Sequence, residues 1–485
     1  MAEIVDVDYL VIGTGAMGMA FADTLVSDSQ KTIAMVDRYA RPGGHWTIAY
    51  PHVRLHQPSI GYGVNSRGFD GENKLDTHGW NKGLLELASG PEVCGYFIAV
   101  MHQTLIPSGR VKYYPKHEYT GDGNFKSLMT GKTYRVSEKT KIVDATYHKT
   151  EVPAMRPPPY ESTPDVKVIT PNQLSALARP YNHYTIVGVG KTGLDACLWL
   201  IGSGVSPSKL TLVVPRDAWY IDRYKFQPGE HFRIANARNF TVSNACVMDA
   251  TSPEDLFHRL EATGQLMRLS PDHEPTFYRC ATVTELELSA IREIGTFIRK
   301  GRIRRITPGT VYCERGTYTP EPDNLYIDCS ANSVPKRPPV PVFDDKRITL
   351  QPVRYCQQVF SAAFIAHIEA AYPVDDEKLK NTLTSPVPHP EFATDWLRLN
   401  LQTYRNALIW SQYPKTQAWL AAARLDWLTE ILPKVPEGAS EEEKGAFMQK
   451  LGAELMALVA KLEALMKMLP KDDGALEDVQ LNAML

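Results

Sequence analysis

The sequence predicts an α/β fold, with two Rossmann-like dinucleotide-binding domains followed by a helical C-terminal region. Two observations predict it. The order strand, glycine-rich turn, helix, strand occurs twice, at about residues 7–37 and 184–214, and beyond about residue 352 apolar residues recur at helical spacing.

In the first unit the β-rich run VDYLVI at 7–12 leads without a gap into GTGAMG at 13–18. The three glycines differ in what they allow. Gly13 permits the tight turn, Gly15 lets the backbone approach a pyrophosphate, and Gly18 lets helix and strand pack closely. Ala16 and Met17 open a helix whose unpaired N–H groups and positive dipole end face the phosphates. The next strand ends in Asp37, followed by Arg38, and Asp37 is placed to accept hydrogen bonds from the adenosine ribose.

The second unit repeats the order with YTIV at 184–187 and GVGKTG at 188–193. Gly188, Gly190 and Gly193 take the three glycine roles, with Lys191 and Thr192 between them. A Walker A loop is excluded, because its first glycine would fall at Thr185. Here the second strand ends in Pro215 and Arg216 rather than an acid. An arginine there accommodates a 2′-phosphate, whereas the competing reading makes Arg216 an ordinary surface residue. The first site is therefore expected to hold FAD and the second NADPH.

At 485 residues the chain is long enough for several domains, and its 53 Lys plus Arg nearly cancel 55 Asp plus Glu, which removes the global field that draws proteins to nucleic acid. Seven cysteines with no C-x-x-C pair argue against a disulfide framework and a structural zinc, and for a reducing compartment. Neither a secretory signal nor a transmembrane span is evident, so a cytoplasmic location is expected.

Between the glycine turns lie PGGHW at 42–46 and YPHVRLHQPS at 50–59. Further on come Arg216, Trp219 and Arg223 in VPRDAWYIDR, Asp144-Ala145-Thr146, and Asp328 in YIDCSA. These segments resemble class B flavoprotein monooxygenases, the group of flavin-containing and Baeyer–Villiger enzymes. The resemblance implies an FAD–NADPH–FAD domain order, with Gly44, His45, Trp46, Arg54, Gln57, Ser59, Ala145 and Asp328 beside the cofactors. It also implies oxygenation of a small organic substrate by O₂ through reduced flavin and a flavin peroxide. Two departures limit it. The Baeyer–Villiger fingerprint before the second glycine turn is replaced by VKVITPNQ at 166–173, and the acid expected two residues after Arg54 is His56. The resemblance thus carries the fold and both cofactors further than the Baeyer–Villiger reaction.

Arg54 is the candidate for stabilising negative charge on reduced flavin, and His56, with an unperturbed pKa of ~6.5, the candidate hydrogen-bond donor or proton shuttle. Alternatively both merely tie a loop to the sheet. A metal site from His45, His52 and His56 is disfavoured by their spacing and by Pro51. A thiol-based flavin reductase would need paired cysteines, which the spacing does not offer.

The expected partition is 1–165 for the first part of the FAD domain, 166–330 for the NADP domain, 331–372 for the FAD return segment and 373–485 for the helical region. Residues 81–106 read as one or two helices and 153–164 as a proline-rich connector, whose pairing with a return crossing suggests a hinge. Ser440 and Glu443 form a capping box for a last helix whose leucine stripe, through 469, is expected to dock on the body, with a homodimer contact second. Besides the monooxygenase, two readings stay open: a flavin-dependent reductase or oxidase, and a nucleotide-binding sensor without turnover.

Overall fold

The structure is a computed structural model that describes residues 2–69, 73–432, 435 and 438–470. Residues 436–437, within the 435–438 segment before the last helix, and those past 470 lie outside the described residues.

Two parallel sheets organise the chain. In the first, Val111–Pro115, Ile33–Asp37, Tyr9–Ile12, Lys141–Asp144 and Arg347–Thr349 run parallel in that spatial order, and Phe343–Asp344 closes the edge as an antiparallel hairpin. Numbered along the chain, the parallel strands are ordered 3-2-1-4-5. In the second, Thr296–Ile298, Leu210–Val213, His183–Val187 and Asn324–Asp328 repeat the order 3-2-1-4, and the earlier strand Lys167–Ile169 lies at the far edge. In open sheets of this kind ligands bind beyond the carboxyl ends of the strands where the order reverses. Here those points lie between Tyr9–Ile12 and Lys141–Asp144, and between His183–Val187 and Asn324–Asp328.

The strands are apolar on both faces because one face packs on helices and the other on a small β-sheet, Leu10, Ala34 and Val36 meeting Phe125 and Val136, and Val187, Val213 and Tyr326 meeting Ile303, Ile306 and Val311. Helix Ala16–Asp28 is buried from Met17 to Val26, wedged between the first sheet and helix Gln358–Ala371. Small residues on both, Ala20 and Ala22 on one and Ala362, Ala363 and Ala366 on the other, belong to one core shared by the two helices. Burying Tyr9 and Glu369 in that core is compensated by pairing: Glu369 accepts from Tyr9 at 2.7 Å and holds Lys141 and the fully buried Lys380 at 2.6 and 2.8 Å.

The segment 81–106 departs from the expected helices. Asn81 bonds to Asp76 and to the Leu85 carbonyl inside a tight hairpin, and the helix begins only at Gly90, capped reciprocally by Ser89 and Glu92. The C-terminal region is helical as expected, with Asp395–Trp410, Pro414–Ala422 and Glu441–Met466. Leu458, Leu462 and Leu465 of the last helix dock on Leu397, Leu401 and Val247, and Arg405 pairs with Glu463 at 2.9 Å. The first half of the helix leaves a groove of about 490 Å³ against helix Arg233–Asp249, lined by residues such as Phe240, Met248, Phe447 and Leu451.

One expectation is overturned. Cys280 and Cys356 form a disulfide, with their Cα atoms 6.7 Å apart and a sequence separation of 76. Spacing rules see only local pairs, so this bridge between distant segments was invisible to them. The other cysteines are free.

Candidate functional site

Both glycine turns have the geometry their spacing implies. Gly13 and Gly188 have φ of +96° and +117°, which favour glycine. A Cβ on Gly18 would stand 2.0 Å from the Gly13 carbonyl oxygen, and one on Gly193 the same distance from the Gly188 oxygen. By contrast, a Cβ on Gly190 would meet nothing within 4 Å, and one on Gly15 only the backbone of Gly44. The middle glycines therefore leave a cradle open to a ligand.

The helices that start there, Ala16–Asp28 and Lys191–Gly202, have no side-chain cap and no acid in the first turn. The helices starting at Gly90, Glu285 and Glu441 are instead closed by Ser or Thr caps with a glutamate. Uncapped N–H groups at a positive dipole end suit phosphate oxygens.

A second internal echo, not anticipated from the sequence, completes each turn. Asp144 ends the strand beside Gly13 and accepts from Thr146 N–H and Oγ1 at 2.8 and 2.7 Å. Asp328 ends the strand beside Gly188 and accepts from Ser330 N–H and Oγ at 3.2 and 2.5 Å. Asp-Ala-Thr and Asp-Cys-Ser at equal places in the two sheets were the available signal. Ala145 and Cys329 thereby form the walls against which Gly13 and Gly188 turn.

Asp37 already accepts from Thr14 N–H and Oγ1 at 2.6 and 2.7 Å through Oδ2, and from Tyr39 N–H at 2.8 Å through Oδ1. It stiffens the turn and keeps spare acceptor capacity for a ribose. Arg38 is exposed over Tyr39. Gly44, with φ +56°, lies against Gly15, and Trp46 donates to Tyr62 at 2.7 Å while stacking on His45.

The segment after Trp46 joins the two units. Tyr50 donates to Asp195 at 2.7 Å, the carboxylate that also holds Lys191. His52 stacks on Trp199, and the Ile48 and Ala49 carbonyls accept from Asn172 at 3.0 and 3.1 Å. The His56 carbonyl accepts from the fully buried Arg223 at 3.0 Å, and His56 Nδ1 accepts from the Thr282 N–H at 3.3 Å. These contacts tie the segment that follows the first glycine turn to the second unit.

Several predicted residues change role. Arg54 has half its side chain in water, 4.0 Å from Asp76, so it cannot act as a desolvated charge. Ser59 is buried and spent on the 86–88 segment, accepting from Ala88 N–H at 2.7 Å and donating to the Glu86 carbonyl at 3.0 Å. Gln57 is only partly buried beside it. His56 does not titrate near neutrality: burial, then the charges of Lys191 and Arg223, push it down to about 4. Because Nδ1 accepts, its proton sits on Nε2, making it a fixed donor rather than a shuttle. Arg216 is neither free nor merely superficial; it pairs with Glu391 at 3.0 Å and lies over Phe277 and Phe392.

Arg279 is the functional candidate that no sequence motif marks. Between the pairs Trp219/Tyr278 and Ile221/Thr282 the ladder slips, and Arg279 lies in the resulting bulge. Its Nη1 donates to the Asn332 and Val334 carbonyls of the return crossing, both at 2.8 Å, while buried Nε and Nη2 have no hydrogen-bond acceptor. Glu391 stands 3.6 Å from Nη2. His389, pushed down to about 3 by burial and then by Arg279 and His148, lies near Arg279 with Nδ1 unpaired, and His148, pushed to about 4 by burial and then Arg337, lies near His389 with both ring nitrogens unpaired. Polar atoms without a protein partner thus come together from separate segments, and a polar or anionic ligand or ordered water would satisfy them.

Buried histidines make stability depend on pH. His45, His52, His56 and His148 are lowered to about 4 and His389 to about 3, chiefly by burial. The unfolded chain takes up these protons near 6.5 and the folded chain only near 4. Stability therefore falls as pH drops from 6.5 to 4, by up to about 1.4 kcal/mol per pH unit for each histidine. Urea midpoints should be flat above pH 7 and fall steeply below 6.5; a midpoint unchanged at pH 5 would mean that these rings are solvated.

Fold and site define an α/β protein of two like-built units, each with an uncapped helix at a glycine turn. The chain belongs to the family formed by the uncharacterized protein Rv2000 of Mycobacterium tuberculosis and the uncharacterized protein Mb2023 of Mycobacterium bovis. It is 48% identical to each over 465 residues, covering 96% of this chain and 86% of theirs. No family model matches it. Solved structures similar to it include an open cyclohexanone monooxygenase (14% identity, TM-score 0.49, 75% of this chain and 86% of that one) and an oxidized steroid monooxygenase bound to NADP (12%, 0.49, 76% and 85%). Among the described residues no helix is long and apolar enough to cross a membrane, and no three His, Cys, Asp or Glu side chains group to hold a metal.

Proposed function

We propose that the protein is an FAD-dependent, NADPH-consuming oxidoreductase of Rossmann-like architecture, acting as a monooxygenase on a small organic substrate. The observation that carries this reading is the pair of uncapped helix N-termini at open glycine cradles, each at the reversal point of a 3-2-1-4 sheet. The segment after Trp46 ties the two units, so that one crevice would lie between the turns.

The residues fit both nucleotides. The turn from Gly13 to Gly18, with Ala16, Met17, Gly44 and Ala145, would hold the FAD pyrophosphate, and Asp37 the ribose. His45 and Trp46 would flank the flavin. Gly188, Gly190, Lys191, Thr192 and Gly193 would hold the NADPH pyrophosphate, with Asp328 bracing the turn. When bound, NADPH supplies a hydride and the flavin passes the electrons to O₂.

The chain's own part is orientation and charge. Arg279, buried with unpaired N–H groups, offers a permanent positive charge to negative charge developing in the crevice, the role first expected of Arg54. His56 Nε2–H is a donor of fixed direction that stays neutral at working pH. The Tyr50–Asp195 and His52–Trp199 contacts hold the second unit over the first and exclude water.

Arg216 would turn from Glu391 toward a 2′-phosphate. Arg216→Ala is expected to cut the NADPH-over-NADH preference about tenfold, or about 1.4 kcal/mol; an unchanged ratio would leave Arg216 as a strut for Glu391. Substrate-stimulated NADPH consumption in isotopically labelled O₂ tests the reaction itself. Label in the organic product is expected; label only in water or peroxide would favour the oxidase reading.

A further inference from the structure

We propose that Cys280 and Cys356 form a thiol–disulfide exchange site that clasps the two units at the crevice. Cys280 lies in the bulged strand Phe277–Val283 next to Arg279, two residues before the Thr282 amide that bonds His56. Cys356 follows the carboxyl end of Arg347–Thr349 in the first sheet and precedes helix Gln358–Ala371, which packs on the first glycine-turn helix. The bridge therefore joins the arginine-bearing strand of one unit to the ligand-binding edge of the other.

Three features mark it as exchangeable rather than inert. Cys280 has φ +54° and Tyr355, next to Cys356, has φ +44°, left-handed conformations that neither side chain favours. Cys356 is partly exposed while Cys280 is buried, so an incoming thiolate has one sulfur to reach. The cores of the two parallel sheets are separate from the hydrophobic cluster that holds both cysteines, so opening the bridge leaves those two cores packed. Strained or exposed disulfides are the labile ones.

The exchange balances with an external dithiol. Its thiolate bonds to Cys356 sulfur, the Cys280–Cys356 bond breaks, and the electron pair leaves on Cys280 sulfur, which takes a proton. The second external thiol, losing its proton, then displaces Cys356 as a thiol, so the protein gains two electrons and two protons and the reagent becomes a disulfide. Opening removes the covalent tie between the bulged strand and the first unit and loosens the strand that carries Arg279, which then stays on the return crossing only through hydrogen bonds such as those to the Asn332 and Val334 carbonyls. The exchange is independent of bound nucleotides; only its consequence for Arg279 rests on the proposed function.

The test uses the full chain, native and without denaturant, in graded ratios of reduced to oxidised dithiothreitol. Alkylation and intact mass count thiols, and limited proteolysis reports the crossings at 145–165 and 331–340. The expected result is five alkylatable cysteines under strong denaturant in oxidised samples and seven, in one two-thiol step, after native reduction. Faster cleavage at the crossings should accompany that step, with an unchanged far-UV spectrum. The Cys356→Ser variant should be cleaved at the fast rate whatever the buffer; if it fails to fold, native reduction of the wild-type chain still decides. Seven thiols in the oxidised protein, a bridge reduced only on unfolding, or unchanged cleavage would each overturn the proposal. None of these readouts involves flavin or NADPH, so a failed cofactor reading would be seen separately.

Discussion

Arg279→Ala is expected to fold and keep its flavin but to lose turnover about 10²–10³-fold, equivalent to about 3–4 kcal/mol of transition-state stabilisation. Two acceptors hold one end of the guanidinium, the Asn332 and Val334 carbonyls, while Nε and Nη2 stay buried without one. Such a group needs a ligand or ordered water to complete it, because an unpaired buried donor is costly. Folding should survive because Arg216 still pairs Glu391 and the hydrophobic cores do not depend on Arg279. Arg279→Lys should recover little, since an ammonium cannot grip two carbonyls and still face the crevice. Turnover within about threefold of wild type, well under the loss expected for such a donor, would remove Arg279 from the reaction.

The second large effect is expected at the third glycines. In Gly193→Ala the new methyl would sit 2.0 Å from the Gly188 oxygen. Backbone cannot rotate away as a side chain can, so helix Lys191–Gly202 must shift, and the amides that form the cradle shift with it. NADPH affinity should fall at least about a hundredfold, some 2.7 kcal/mol, while FAD stays bound. Gly18→Ala, with the same 2.0 Å collision against Gly13, should reverse the pattern or prevent folding, because its helix lies in the core shared with Gln358–Ala371. Equilibrium titration of each variant checks this; equal loss of both nucleotides from Gly193→Ala would mean that the second turn is a folding element only.

The parts of the fold written in local pattern were legible in the sequence. Strand, glycine turn and helix need only neighbours along the chain, so Gly13 to Gly18 and Gly188 to Gly193 could be placed residue by residue. The last helix was equally plain, because Ser440 and Glu443 cap it within one turn. The start at Gly90 was also encoded, in the capping pair Ser89 and Glu92, but the apolar spacing from Tyr96 to Leu105 marks a helix without marking where it begins. What could not be read was pairing at a distance. Arg216 was seen as a charge, but not Glu391, 175 residues on, that holds it. Arg54 and Arg279 are the same residue type, and only the acidic loop at Asp76 and the bulge at Arg279 decide which is exposed and which buried. Cys280 and Cys356 show no spacing rule at all.

On the proposed function, one crevice brings a resident flavin and a visiting nicotinamide together. That meeting is visible in the absorption spectrum of the purified, FAD-equilibrated protein before and after anaerobic NADPH, and again after air. The expected result is a yellow protein with one FAD per chain, bleached by NADPH faster than by NADH and restored by oxygen. Colourless protein that takes up no FAD, or bound flavin that NADPH never reduces, would refute it.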